Sequence, residues 1–297
     1  MIEIRNLSHQ YGDRQVLKNV SFTVEPGKLT GFVGANGAGK TTTMRAMLGL
    51  IRPTSGEVLL NGRPITATDR VGIGYMPEER GLYPKMKLHE QIVYFAQLHG
   101  VDKAVANRRA DELLDRLGLA DRRDEIVESL SLGNQQRAQI CVALVHEPNI
   151  LVLDEPFSGL DPIAVEVVLD VLNQRAKMGA PVLFSSHQLE VVEKLSDNLV
   201  IISQGEIKAA GTRRELQEAH SRGLYRIGVD DHTWLAQQPG VEVLERLEDG
   251  VVVRIAGDAD EPAARAQQLL RDAIGHGQVS EFGRHLVPLT TIFKEVR

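Results

Sequence analysis

The sequence predicts an α/β fold: a mostly parallel sheet covered on both faces, with antiparallel strands on its N-terminal side, an inserted helical subdomain, and a small α+β domain after it. Three observations carry this expectation. Apolar runs at 29–33, 149–153, 181–184 and 199–203 are short and separated by segments of helical length, the pattern of strands buried on both faces. A glycine-rich loop, Gly34 to Thr41, stands directly after the first run and before a helix-compatible segment. After about residue 222 the pattern changes to alternating strands punctuated by turn residues.

Taken in order, residues 2–33 read as strands. Val20-Ser21-Phe22-Thr23-Val24 alternates, and Pro26-Gly27 turns the chain into the run before the loop. A helix is expected from Lys40 to about Leu50. Asn61-Gly62 signals a hairpin after Glu57-Val58-Leu59-Leu60. Leu88 to Leu98 and Ala104 to Leu117 carry apolar residues at helical spacing with charges between, which places a helical subdomain at about 85–145. Beyond it, 224–229 reads as a strand, 232–237 as a short helix, 241–247 as a strand, and Asp249-Gly250 as a hairpin turn into 251–255. Pro262 starts a helix through about Ala273, at a first-turn position where proline is tolerated. A last strand at 279–282 completes a β-α-β-β-α-β order, that of the ferredoxin-like split unit. A final short helix begins near Leu289. The expected domains are 1–221 and 222–297.

Composition narrows the class. The hydrophobic share of 42% and the charged share of 25% are those of a globular protein with a real core. The apolar runs are far shorter than the roughly 20 residues a membrane helix takes. Met1-Ile2-Glu3-Ile4-Arg5 lacks a signal-peptide layout, so the chain is expected in the cytosol or on the cytoplasmic face of a membrane. The single Cys141 excludes an internal disulfide and a cysteine-based metal cluster. A net charge of -6 argues against a nucleic-acid partner. Arg108-Arg109 and Arg122-Arg123 are interleaved with acids and read as a solvated helix face.

Gly34 to Thr41 fits G-x-x-x-x-G-K-[ST], a phosphate-binding loop. Glycines let backbone N–H groups converge on phosphates, Lys40 brings a positive charge to the β- and γ-phosphates, and the Thr41 hydroxyl suits Mg²⁺. The start of the helix behind the loop adds favourable partial charge. Asp154-Glu155 ends a buried apolar run, so both acids are delivered to the edge of the sheet where ligands bind in open α/β folds. Alone, the pair reads as a strand-end cap. With the phosphate loop present, Asp154 is the expected Mg²⁺ ligand and Glu155 the expected base for an attacking water. Ser131, in Leu130-Ser131-Leu132-Gly133-Asn134-Gln135-Gln136, can cap a following helix.

These motifs, with Ser158-Gly159-Leu160-Asp161 and Ser185-Ser186-His187, follow one another in an order that resembles the ATP-binding cassette (ABC) of transporters over residues 1–221. The resemblance implies a P-loop NTPase cassette that binds ATP and Mg²⁺ and hydrolyses ATP at a dimer interface. It implies nucleotide contacts at Gly34, Asn36, Gly37, Ala38, Gly39, Lys40, Thr41 and Thr42. Ser131 and Gly133 would touch the γ-phosphate of ATP held by the opposite subunit, although the family's usual third signature glycine is Leu132 here and its glutamine is Asn134. His187 matches the family's γ-phosphate-contacting histidine, and Asp161 the loop linking the two sites. Tyr11 stands where the family places an adenine-stacking aromatic, with an ordinary core tyrosine as the alternative.

Glu78 replaces the glutamine that reaches Mg²⁺ and senses the membrane partner; a carboxylate remains a suitable oxygen ligand. The wording Pro77-Glu78-Glu79-Arg80-Gly81-Leu82-Tyr83-Pro84 resembles ATPases of sodium- and drug-exporting systems, which often carry a small domain after the cassette. The implied partners are a separate membrane permease and a second ATPase subunit, identical or not. The alternatives are a soluble ABC ATPase acting on ribosomes or DNA, disfavoured by one cassette with a short insert, and a regulator without turnover, disfavoured by Glu155 and His187. The tail has no phosphate loop or acid–base pair. Its Leu286, Leu289, Ile292 and Phe293 either bury surface against the cassette or its dimer mate, or complete the tail's own core.

Overall fold

The computed structural model describes residues 1–229, 231–257 and 261–295. Two compact units divide the chain, Met1–Arg213 and Arg214–Glu295. The first unit begins with β1 (Ile2–Tyr11), β2 (Arg14–Val24), β3 (Leu29–Val33), α1 (Lys40–Met47), β4 (Ser55–Leu60) and β5 (Arg63–Pro64). Next come α2 (Ala67–Val71), β6 (Ile73–Met76), α3 (Leu88–Leu98), α4 (Lys103–Arg116) and α5 (Leu132–Leu144). It closes with β7 (Ile150–Leu153), α6 (Pro162–Lys177), β8 (Val182–Ser186), α7 (Leu189–Leu195), β9 (Asn198–Ser203) and β10 (Glu206–Thr212).

Two sheets result. One is antiparallel, in the order β2-β1-β4-β5, and the other runs β10-β9-β3-β8-β7-β6. From β9 through β6 the second sheet is parallel, and β10 pairs antiparallel with β9. Every residue of β3, β7, β8 and β9 is buried, which is why these strands read as continuous apolar runs without alternation. The core lies between the two sheets and around α1, where Leu7, Leu17, Val20, Phe32, Met44, Val152, Leu183 and Val200 meet. The rings of Phe22 and Phe32 join the sheets at 5.1 Å.

Helix starts follow their caps. The Ser131 hydroxyl accepts from Asn134 N–H at 3.4 Å, and the Asp161 carboxylate from Ala164 N–H at 2.9 Å, with Pro162 at the first helical position. Helix α1 stops at Met47, short of the expected Leu50. Gly49 adopts φ 70° there, and the Gly49 and Leu50 N–H groups bond back to Ala46 and Arg45 carbonyls, a Schellman ending that sequence periodicity does not announce. Among the described residues, no helix is long and apolar enough to cross a membrane.

The second unit contains α8 (Arg213–His220), β11 (Leu224–Val229), β12 (Val241–Leu247), β13 (Gly250–Ile255), α9 (Glu261–His276), β14 (Val279–Arg284) and α10 (Leu289–Glu295). Its sheet order is β12-β13-β11-β14 with every pair antiparallel, the arrangement of the ferredoxin-like split unit. The expected helix at 232–237 is a 3-10 turn, Thr233–Gln237. The Asp231 carboxylate accepts from Thr233 N–H at 2.9 Å and the Asp231 carbonyl from the Trp234 indole at 2.8 Å, so the turn is tied at its start. The hairpin turn is Glu248-Asp249, with Gly250 already pairing with Leu247. A Cβ on Gly250 would sit 2.4 Å from the Ile227 carbonyl, so glycine here answers to the close approach of β11. Helix α9 packs Ala266, Leu269 and Ala273 onto Ile227, Val251 and Val253. Leu289 and Ile292 are buried, Phe293 is half-buried and Leu286 is exposed.

Candidate functional site

The parallel strands bring the glycine loop, the end of β7 and the end of β8 together at one sheet edge. Gly34 leaves β3 with its Cα against Ile202, where an added Cβ would meet the carbonyl at 2.5 Å. Gly39 precedes α1 at φ 113°, and a side chain there would strike Leu17. These two close approaches seat the loop against β9 and β2. Nothing lies within 4 Å of the space beside Gly37, which stands open at the loop's outer rim.

Lys40 is buried. Its ammonium donates to the carbonyls of Gly34 at 2.7 Å and Ala35 at 3.3 Å, and lies 4.0 Å from Glu155 Oε1. Burial lowers its pKa, while Glu155, Asp154 and Glu78 pull in the opposite direction. The Thr41 hydroxyl donates to Asp154 Oδ2 at 2.7 Å. That hydroxyl–carboxylate pair is an all-oxygen donor set of the kind Mg²⁺ prefers, so the site fits the metal. Glu155 Oε2 lies 3.0 Å from His187 Nδ1. Lys40, Thr41, Asp154, Glu155 and His187 therefore form one contiguous cluster, with Lys40, Asp154 and Glu155 buried, Thr41 half-buried and the imidazole exposed.

Other expected site residues stand apart from this cluster. Glu78 is exposed; its field reaches Lys40, but no hydrogen bond or ion pair holds it among the described residues. Ser131 is exposed at the start of α5 and caps its own helix. An added Cβ on Gly133 would come within 3.3 Å of the Gly159 carbonyl, so the signature loop and the Asp161 loop are packed together. Among the described residues, no hydrogen bond joins Ser131 or Gly133 to residues 34–42. Tyr11 is 49% exposed, with its ring held edge-on to His9 at 4.6 Å. That leaves an aromatic face free, which a core tyrosine would not have.

Two family descriptions match the chain: "ABC transporter" over residues 17–158, and the C-terminal domain of DrrA1-3-like ATP-binding proteins over residues 211–296. An uncharacterized ABC transporter ATP-binding protein of Bacillus subtilis, YhaQ, is 36% identical over 296 residues, covering 99% of this chain and 98% of the relative. The chain belongs to the ABC transporter ATP-binding proteins. This ABC ATPase is also 36% identical over 219 residues to the linearmycin resistance ATP-binding protein LnrL of Bacillus subtilis, covering 73% of this chain and 70% of the relative. Among solved structures, an ATP-binding subunit of an ABC transporter matches with TM-score 0.69 at 33% identity, over 74% of this chain and 93% of that one.

Three polar residues of the cassette were given no individual role in the sequence reading. Ser185 donates its hydroxyl proton to Asp154 Oδ1 and accepts from Glu155 N–H at 2.9 Å. The Gln136 amide donates to the carbonyls of Glu155 at 2.8 Å and Pro156 at 3.2 Å. The Gln139 amide donates to Pro77 at 2.7 Å and more weakly to Glu79 at 3.4 Å, which ties α5 to the segment carrying Glu78. All three side chains are buried, and the sequence around them gives no common signal: Gln136 lies between Gln135 and Arg137, and Ser185 beside Ser186.

Proposed function

We propose that this chain is the motor subunit of an exporter: it binds Mg-ATP between two copies of the cassette and hydrolyses it to drive a separate membrane permease. One observation carries the reading. The Glu155 carboxylate is buried between the His187 imidazole and the Lys40 ammonium, directly after Asp154. A carboxylate so placed can take a proton from water attacking a phosphate held by the loop. Lys40 and the backbone of residues 34–42 hold the phosphates, and Tyr11 offers its ring to the base. Thr41 and Asp154, with Glu78 as a further oxygen, would hold Mg²⁺, whose charge offsets that of the phosphates. His187 orients the carboxylate and the water. Ser131, exposed, and Gly133, half-buried, neither bonded to its own loop, serve the ATP of a second copy, and Asp161 links the two sites.

The Pro77–Pro84 wording supports export, and the name of the resistance relative is in keeping with it. Membership of the ABC transporter family supports coupling to a separate membrane permease, which would set the cassette on the cytoplasmic face. The division of labour is a cassette at 1–221 and a regulatory module at 222–297.

Glu155→Gln tests the chemistry. Turnover should fall by roughly 10²–10⁴-fold, the scale of general-base loss, with ATP binding retained. In the same base-blocked protein, ATP should convert monomer to dimer by light scattering, and Ser131→Arg should prevent it. Wild-type turnover in Glu155→Gln removes the base. Dimers indifferent to ATP or to Ser131→Arg remove the trans contact.

A further inference from the structure

Glu155 has an unusual backbone. Its φ is 53°, in the left-handed region that residues with a Cβ rarely enter. The residue before it still belongs to the sheet, since Asp154 N–H bonds to the Met76 carbonyl at 2.8 Å. The chain therefore leaves β7 through one strained residue, and that residue carries the carboxylate facing Lys40 and His187. Such a conformation persists only when the surroundings hold it.

Two buried side chains from different elements do so. At the end of β8, Ser185 is fully buried, and its hydroxyl has a single proton. That proton goes to Asp154 Oδ1, which leaves a lone pair for Glu155 N–H at 2.9 Å. From α5, the buried Gln136 amide grips the Glu155 carbonyl at 2.8 Å and the Pro156 carbonyl at 3.2 Å. The Glu155 carbonyl also accepts from Ser158 N–H at 3.2 Å, as a local turn would supply. The peptide groups on both sides of Glu155 are thus tied to side chains that never reach the phosphate site themselves.

We infer that Ser185 and Gln136 are positioning residues: together they clamp the left-handed backbone of Glu155 so that its carboxylate faces the attacking water. The inference rests on Glu155 being the base. Ser185 has a second task through the same hydroxyl. By occupying Asp154 Oδ1 it fixes the rotation of that carboxylate and leaves Oδ2 for Thr41 and the metal. Gln136 belongs to the helix whose N-terminus carries Ser131, so the element that reaches the second copy also grips the base of its own copy.

The test is steady-state ATP turnover and equilibrium ATP binding of the purified full chain. The variants are Ser185→Ala, Ser185→Thr and Gln136→Leu, each alone and combined with Glu155→Gln, with folding checked by thermal melting. Ser185→Ala and Gln136→Leu should each lower kcat by roughly 10- to 100-fold, the scale of a misplaced reacting group. ATP Kd and KM should move by less than about threefold, because ground-state phosphate contacts are untouched. Ser185→Thr, which keeps both hydrogen bonds, should recover most of the turnover. In the Glu155→Gln background Gln136→Leu should cost nothing further, because it acts through that carboxylate alone, and Ser185→Ala should cost only the smaller part that passes through Asp154. The clamp is overturned by single variants that keep kcat within about twofold of wild type, by ATP affinity falling in step with kcat, or by a full additional loss in the Glu155→Gln background. A Glu155→Gln chain with wild-type turnover overturns the base assignment, and the clamp falls with it.

Discussion

Lys40 shows how a single residue prepares the site. Its ammonium is buried and bonded to two carbonyls of its own loop, with Glu155 at 4.0 Å, so it is held in place without a ligand. Preorganisation of this kind places its value in ground-state phosphate binding. Lys40→Ala should therefore weaken ATP binding by roughly 10- to 100-fold, the range of a hydrogen bond to a charged group. Glu155→Gln should leave that affinity intact, and nucleotide titration of the two variants side by side separates the roles. The residues that carry such functions were legible because each stands at a set distance from a strand end or a glycine. Ser185, Gln136 and Gln139 were not, because their partners are backbone groups that only folding brings near. A hydroxyl at the end of an apolar run and two amides in a helix look the same in sequence whether they grip a neighbour or face water.

At the scale of elements, strands and helices could be read wherever burial imposes a period or removes one. Boundaries and helix type depended on local bonds instead, as with the Gly49 ending of α1 and the 3-10 turn tied to Asp231. One junction between elements has a measurable pH signature. The imidazoles of His99, at the end of α3, and His146, after α5, stack at 3.8 Å and 9°. Burial pushes the His146 pKa down to about 4, and the fields of His99, Arg175 and Arg109 add to this, while the backbone carbonyl of Ile73 opposes it. The folded chain therefore resists a proton that the unfolded chain accepts near the ordinary value of 6.5. The contribution of neutral His146 is complete above that value and is lost as pH falls toward 4. Melting temperature should drop across this window, and His146→Phe, which keeps a stacking ring without titrating, should flatten the drop. Equal slopes in both proteins would remove His146 as its source.

For the whole molecule, the order of strands in the second unit and its helices from Pro262 and near Leu289 were legible, and only the helix expected at 232–237 shrinks to a turn. Each unit has a core cluster of its own. Every buried residue of the cassette core lies between Ile2 and Ile202, and the module's core runs from Tyr225 to Ala273. A chain ending at His220 should therefore keep its helical circular dichroism and bind ATP within about threefold of the full chain, as expected for distant and independent sites. Dimerisation or permease-coupled turnover should change. Loss of ATP binding in a folded truncated chain would end the modular view, and unchanged dimerisation and coupling would end the regulatory one.

The acids around Lys40 also govern how nucleotide arrives. Glu155, Asp154 and Glu78 all act on that one buried ammonium, and Glu78 adds a charge where the family's glutamine has none. An incoming triphosphate thus meets like charge from two buried carboxylates and one exposed one around its own loop. Association of free ATP should speed up as salt is added, the reverse of what a basic cleft would give. Prior complexation with Mg²⁺ should blunt that dependence by lowering the charge of the arriving species. Stopped-flow association rates at low and high ionic strength decide it, with Glu78→Gln expected to raise the low-salt rate most. An association rate that falls with added salt would show that the loop's amide dipoles outweigh the carboxylates. If it rises, the chain selects its nucleotide partly by admission, favouring the metal complex before any contact is made.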